Sequence, residues 1–118
     1  MTDINSSKPT ITYDDFVKLD LRVGQVIEAT IPQWSEKLIE MKVNFGEEIG
    51  ERKILAGIQK EYSPEDLMGN KFVFVINLAE RKMGPAVSQG MMLMAVDKNE
   101  QVTKIQLPQE VSVGSVIC

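Results

Sequence analysis

The segment from Lys71 to Asn77 constrains the fold of this chain more than any other. It reads Lys-Phe-Val-Phe-Val-Ile-Asn, so aromatic and β-branched side chains follow one another with almost no polar break. Such a run is typical of a strand that is buried on both faces or that lies centrally in a barrel. The segment therefore predicts a sheet that is built around this strand.

Shorter segments of strand composition lie on both sides of it. They span residues 21–29, 38–45 and 52–58 before it, and 91–96, 102–107 and the alternating tail 111–117 after it. In the second of these strands Met41, Val43 and Phe45 share a face, and the glycine-containing turn at 46–51 predicts a hairpin with the third. The apolar stripe of the tail has to pack on another part of the molecule.

In the first strand, alternation places Leu21, Val23 and Ile27 on one side. Gly24 lies inside this strand, where a missing side chain permits a bulge or the sharp coiling of small barrels. We also expect a long loop over residues 78–90, between the central strand and the next one.

Two short helices are expected. Thr12-Tyr13-Asp14-Asp15 has the spacing of a capping box and predicts a helix over 13–18. Ser63-Pro64-Glu65-Asp66 combines a capping hydroxyl, a proline at the first helical position and acidic residues near the helix start, which predicts a helix over 64–68.

Five or six short strands with one helix between the third and fourth are the order expected of an oligonucleotide/oligosaccharide-binding (OB) fold. The predicted fold class is therefore all-β with short helices: a five-stranded Greek-key OB barrel with a C-terminal β extension. The chain has 118 residues, of which 43% are hydrophobic, so we expect a single domain. We expect that domain over 11–118, after a flexible arm or linker over 1–10.

The composition excludes several classes of function. The chain has no histidine, which removes the commonest general base and the commonest metal ligand. Its one cysteine, Cys118, allows neither an intrachain disulfide nor a clustered thiolate site. We therefore expect no catalytic residue, metal or cofactor, and no segment suggests a membrane span or a secretory signal. These features favour a cytoplasmic protein. Because the net charge is −4, any binding of a polyanion has to depend on a few well-placed lysine and arginine side chains.

Several ordered blocks resemble one known family. They are 11–16 (Ile-Thr-Tyr-Asp-Asp-Phe), 20–24 (Asp-Leu-Arg-Val-Gly), 36–38 (Glu-Lys-Leu), 56–58 (Ala-Gly-Ile), and 77–83 (Asn-Leu-Ala-Glu-Arg-Lys-Met) continuing to 88–91 (Ser-Gln-Gly-Met). Together they resemble the tRNA-binding OB domain that occurs at the C-terminus of methionyl-tRNA synthetases and as freestanding proteins. The resemblance covers nearly the whole chain from Ile11 onward.

The resemblance implies non-catalytic, structure-specific binding of tRNA by a homodimer whose C-terminal segments help to build the interface. It also implies a candidate partner, the catalytic chain of methionyl-tRNA synthetase. The expected RNA-binding residues are Lys37, Arg81, Lys82, Ser88, Gln89 and Met91. The cations would contact phosphates, and the serine and glutamine would contact backbone oxygens and 2′-hydroxyls.

Other interpretations stay open at this point. Arg81 and Lys82 could be an ordinary solvated pair, and Trp34 could either stack on a base or pack over the mouth of the barrel. An export-chaperone-like protein on the same fold would bind peptides through an apolar groove. An enzyme would have to use carboxylates such as Asp14 or Asp20 as acid and base, since Asp15 suits helix capping better.

Overall fold

The computed structural model describes residues 7–118. Its elements are α1 (Tyr13–Phe16), β1 (Leu21–Thr30), β2 (Ile39–Asn44), β3 (Glu51–Ala56), a 3-10 helix (Pro64–Asp66), β4 (Lys71–Val75), β5 (Arg81–Met83), β6 (Ala86–Ser88), β7 (Met91–Met92), β8 (Met94–Val96), β9 (Val102–Lys104), β10 (Gln106–Leu107) and β11 (Val116–Ile117). Residues 1–6 of the predicted arm lie outside the described residues, and 7–10 are exposed without regular structure. The domain boundary at residue 11 stays a prediction.

The main sheet is antiparallel and curls into a nearly closed barrel. Five strands follow one another in the order β10-β4-β1-β2-β3, with β7 pairing with β4 and β11 pairing with β1. All of the residues from Phe72 to Val75 are buried, as predicted for the central strand. The all-β, OB-like fold class is confirmed.

The interior of the barrel is packed around two aromatic rings. Phe45 and Phe74 meet edge to face with ring centroids 5.3 Å apart. Gly24 lies against them, and a Cβ atom there would be 2.5 Å from Val43 Cγ1 and 2.7 Å from Phe45 Cε1. The glycine therefore serves the close approach of side chains from neighbouring strands.

The prediction that Leu21, Val23 and Ile27 share one face of β1 is wrong. The register with β2 shifts between Val26 and Glu28, so the bulge lies there and not at Gly24. A bulge adds one residue to one strand and exchanges its faces. Val26 is consequently fully buried in the interior, while Ile27 is only partly buried. The alternation of buried and exposed side chains that begins at Leu21 is therefore interrupted at this point.

The C-terminal part of the chain covers the outer side of β1 and β4. Leu21, Val73 and Val75 form a second apolar cluster there. Three side chains from the later part of the chain pack against it: Leu93, Leu107 and Ile117. Lys71 Nζ donates to the carbonyls of Gln109 and Val111 at 2.5 and 2.6 Å. Of the apolar stripe predicted in the tail, Ile117 packs on this cluster.

The helices and the long loop differ from their predictions. α1 has four residues instead of six, and the helix predicted over 64–68 is a three-residue 3-10 turn, although the Ser63–Asp66 capping box is formed. Such short segments gain too few intrahelical hydrogen bonds to extend on their own. Residues 81–88 form a hairpin. The segments predicted as single strands over 91–96 and 102–107 are each split into two short strands, and only Val116–Ile117 of the predicted tail forms a strand.

Candidate nucleic-acid interface

The β5–β6 hairpin presents the dibasic pair. Arg81 lies opposite Ser88 and Lys82 opposite Val87, and the pair is exposed. The sequence predicted a loop here because each strand has only three residues, too few to show an alternation of apolar and polar side chains. Neither cation has a carboxylate within 4.0 Å among residues 7–118, so both charges are free to meet a polyanion.

Ser88 and Gln89 fasten this hairpin to the open edge of β3. The Ser88 hydroxyl accepts a hydrogen bond from Leu55 N at 3.0 Å and donates one to the Gly90 carbonyl at 3.0 Å. Gln89 Oε1 accepts from Lys53 N at 3.0 Å, and Gln89 N donates to the Lys53 carbonyl at 2.8 Å. These bonds satisfy backbone groups that an edge strand would leave unpaired, and they close the barrel.

The structure thus places the two polar residues differently from the basic pair. Ser88 is only 3% exposed, whereas Arg81 and Lys82 stand on the surface. Arg52 supports the same junction, because its Nη1 donates to the Ile76 carbonyl at 2.6 Å. Arg52 was not among the residues predicted from the sequence. Only the register of β3 against β2, which places this arginine opposite the buried Val43, indicates that it lies on the inner face of the sheet.

Trp34 connects the loop between β1 and β2 to the tip of the hairpin. Its ring lies directly over Gly84, where a Cβ atom would be 2.7 Å from Cζ3 and 2.8 Å from Cε3. The same loop carries the exposed Lys37, whose carbonyl accepts from Gln59 N at 3.1 Å. Trp34 remains 41% exposed, so the ring packs on the protein and still presents part of its surface to solvent.

An apolar groove of about 270 Å³ lies beside the hairpin. Its lining includes Leu55, Leu78, Met83 and Met91, with Arg81 also contributing. Met91 is 47% exposed and Leu78 44%, so apolar surface is available next to an exposed cation. A groove of this kind can accept a flat or aliphatic group from a ligand.

Two lysines of the sheet have carboxylates close by. Lys42 Nζ lies 3.8 Å from Glu28 Oε2 and 4.0 Å from Glu51 Oε1, and Lys53 Nζ lies 3.9 Å from Glu40 Oε1. Within residues 7–118, the hairpin and the Lys37 loop therefore differ from this part of the sheet in carrying unpaired positive charge.

The acidic residues considered for catalysis have structural surroundings. The Asp20 carboxylate accepts from Arg22 Nε at 2.6 Å, and Asp15 pairs with Lys18 at 3.1 Å. Asp14 lies exposed on α1. The pKa of Asp66 is lowered, first because the backbone N–H of Ser63 donates to its carboxylate and then because the Ser63 hydroxyl does. This shift belongs to a helix cap.

Within residues 7–118, no cluster of three or more acidic or cysteine side chains is arranged to hold a metal ion. Over the same range the helices are all too short to cross a bilayer.

Comparison with known proteins gives concordant matches. The family model "Putative tRNA binding domain" matches residues 21–116. The methionine–tRNA ligase of Clostridium acetobutylicum is 42% identical over 111 residues, which are 93% of this chain and 17% of that enzyme. The chain thus spans about a sixth of the length of this curated relative.

Two solved structures are also similar over their whole length. The methionyl-tRNA synthetase (MetRS) related protein from Pyrococcus horikoshii superimposes with a TM-score of 0.89 at 37% identity, covering 94% of this chain and 100% of that one. The chaperone CsaA from Bacillus anthracis gives a TM-score of 0.82 at 31% identity, covering 93% and 100%.

Proposed function

This chain belongs to the tRNA-binding domain family, and from that premise we propose that Lys37, Arg81 and Lys82 form the surface that contacts tRNA. We call these three residues the cationic surface. One observation carries the proposal: the contact of Trp34 with Gly84 joins the loop bearing Lys37 to the hairpin bearing the other two cations. Since none of the three has an ion-pair partner within residues 7–118, each can release a counterion from a phosphate.

The arrangement favours a folded RNA over a linear one. The hairpin is held to β3 by Ser88 and Gln89, so the backbone positions from which its cations project are fixed. A folded RNA presents phosphates at fixed positions, whereas a linear strand has to lose conformational freedom to match them. Selectivity for tRNA therefore follows from rigidity on both sides of the interface.

We assign the remaining predicted residues to this surface in two ways. Ser88 and Gln89 act through the hairpin, because their side chains bond to β3 and to Gly90. Met91 contacts the RNA directly from the exposed rim of the groove, since 47% of its surface is accessible beside Arg81.

The chain works without catalysis, cofactor or metal, and it delivers or retains tRNA for a methionyl-tRNA synthetase catalytic chain in the cytoplasm. The support is the similarity to methionine–tRNA ligase, of which this chain corresponds to a small part. A tethered or associated tRNA-binding domain raises the local concentration of tRNA at the enzyme.

The active form is a homodimer. Exposed apolar side chains are concentrated near the start of the domain, where Ile11, Tyr13 and Val17 are 62%, 76% and 52% exposed. Val116 of the docked C-terminal segment is 61% exposed. Surface of this kind is normally covered by a partner, and a monomeric mass in dilute solution would contradict the dimer.

The test is a salt titration of binding to mixed tRNA and to unstructured RNA of equal length. Each phosphate contact contributes about 0.7 to 0.9 to the slope of log K against log salt, so Arg81→Ala/Lys82→Ala should lower the slope for tRNA by about 1.4 to 1.8. The control Lys8→Ala/Lys98→Ala removes the same charge from exposed sites and should leave the slope near that of the wild type. Equal effects of the two double variants would refute the cationic surface.

The apolar groove supports a second candidate, binding of extended peptides, as the similarity to a chaperone suggests. Peptide binding driven by apolar burial would persist at high salt, unlike binding to phosphates. Tight, salt-insensitive binding of an apolar peptide by the wild type, with weak tRNA binding, would favour this candidate.

A further inference from the structure

The outer face of β1, β2 and β3 is the face on which OB barrels ordinarily bind single-stranded oligonucleotides. In this chain the exposed or half-buried side chains that point away from the barrel interior on this face are Glu28, Thr30, Glu40, Lys42, Asn44, Glu51 and Lys53. We call this set the sheet face. Most of these residues line a pocket of about 390 Å³, so the face is open to a ligand.

At its centre the sheet face holds a pair of cations. Lys42 and Lys53 lie directly opposite each other on β2 and β3, so their ammonium groups share one side of the sheet. Two neighbouring lysines on an exposed sheet would be a ready contact for successive phosphates of an RNA strand. Like charges that face each other in this way also repel, which makes a counter-charge favourable.

Three carboxylates supply that counter-charge. Glu28 and Glu51 lie on either side of Lys42, and Glu40 lies beside Lys53, at distances of 3.8 to 4.0 Å. Because these ion pairs are long and half exposed, each adds at most about 1 kcal/mol to stability. Their effect is on the potential of the face, where three negative charges outweigh the two positive ones.

The sheet face also has no aromatic side chain among its described residues. Proteins of this fold that hold single strands stack bases on aromatic rings as well as pairing phosphates with cations. Among the residues that define it, the sheet face provides neither stacking surface nor free positive charge. A linear strand therefore gains little from it.

We propose that Glu28, Glu40 and Glu51 are specificity-determining residues, which keep linear RNA off the sheet face by neutralising Lys42 and Lys53. RNA binding is thereby confined to the cationic surface, where a folded tRNA is favoured. The inference rests on the proposed function, since it explains how selectivity for tRNA is kept on a fold suited to single strands.

The experiment is to measure binding of oligouridine of tRNA length to Glu28→Gln/Glu40→Gln/Glu51→Gln. Two freed lysines should steepen the slope of log K against log salt by about 1.4, so affinity should fall about sevenfold more between 50 and 200 mM salt than it does for the wild type. The control Glu61→Gln/Glu65→Gln/Glu110→Gln changes the net charge equally at exposed sites away from the sheet face. It should bind oligouridine with the slope of the wild type.

Adding Lys42→Gln and Lys53→Gln to the first triple variant should return the slope for oligouridine to that of the wild type. This result would show that the steeper slope depends on those two lysines. Equal slopes for the two triple variants, or a gain that survives loss of both lysines, would overturn the inference. The proposed function is tested separately, by the effect of Arg81→Ala/Lys82→Ala on the salt dependence of tRNA binding. Because the ion pairs contribute little to stability, circular dichroism should show the triple variants folded as the wild type.

Discussion

Replacing Gly84 by alanine tests whether the hairpin and the Lys37 loop act as one surface. Gly84 has a φ of +59°, at the first position of the two-residue turn between Met83 and Ala86. A left-handed conformation costs a residue with a Cβ roughly 1–2 kcal/mol. The new Cβ would also lie 2.7 and 2.8 Å from two carbons of Trp34, well inside the usual carbon–carbon contact distance of about 3.5–4.0 Å.

The ring has to move by about 1 Å to relieve this overlap. Trp34 is 41% exposed, so it can turn toward solvent without disturbing the core. The loop that carries Lys37 then loses its contact with the hairpin. We expect Gly84→Ala to lower the free energy of unfolding by roughly 1–2 kcal/mol. Loss of one charged contact, worth about 1.5–3 kcal/mol, should also weaken tRNA binding by at least about tenfold.

Gly50→Ala is the matched control. Gly50 has a φ of +82°, and among residues 7–118 no atom lies within 4 Å of the place that a Cβ would take, so alanine there carries the backbone cost without a clash. Urea denaturation should show similar losses of stability for the two variants. Trp34 is the only tryptophan, and its emission should shift to the red in Gly84→Ala alone. If emission and tRNA affinity are the same in both variants, the coupling of loop and hairpin is refuted.

Two further outcomes are expected. Ser88→Ala leaves the buried N–H of Leu55 without a partner and should lower the free energy of unfolding by about 1–3 kcal/mol, measured by urea denaturation; an unchanged midpoint would contradict its role in closing the barrel. The pKa of Asp66 is lowered from its ordinary 3.8, so its contribution to stability is complete above that value and is lost as pH falls through the folded pKa. The stability difference between wild type and Asp66→Asn should therefore be constant near neutral pH and shrink below pH 3.8; a difference that persists in acid would show that the carboxylate charge is not involved.

The order of the principal strands could be predicted from local sequence patterns. The burial of Phe72 to Val75 follows from an unbroken apolar run, and the β2–β3 hairpin follows from alternation around a glycine turn. The bulge near Val26 was not readable, because it depends on the register with β2 and not on the residues of β1 alone. The β5–β6 hairpin was missed because three-residue strands carry too little periodicity to be recognised.

The candidate site was predictable only in part. Arg81 and Lys82 stood out as a dibasic pair within blocks that resemble a tRNA-binding domain, and the structure leaves both exposed. Ser88 and Gln89 have side chains suited to RNA oxygens, yet their hydrogen bonds run to β3. Residue type shows what a polar group can bond to, while the fold decides which partner is within reach.

Local sequence patterns were enough to predict the class of the protein. The absence of histidine, the succession of short apolar strands and the ordered blocks together lead to a small OB domain of a tRNA-binding family. Which charges are paired follows from the fold. Lys42 and Lys53 are paired with glutamates brought close by strand pairing, whereas Lys82 has no ion-pair partner within residues 7–118 and stands on a hairpin held by side-chain bonds to β3. Charge pairing depends on side-chain distances across neighbouring strands, and these are fixed only by the register in which the strands pair.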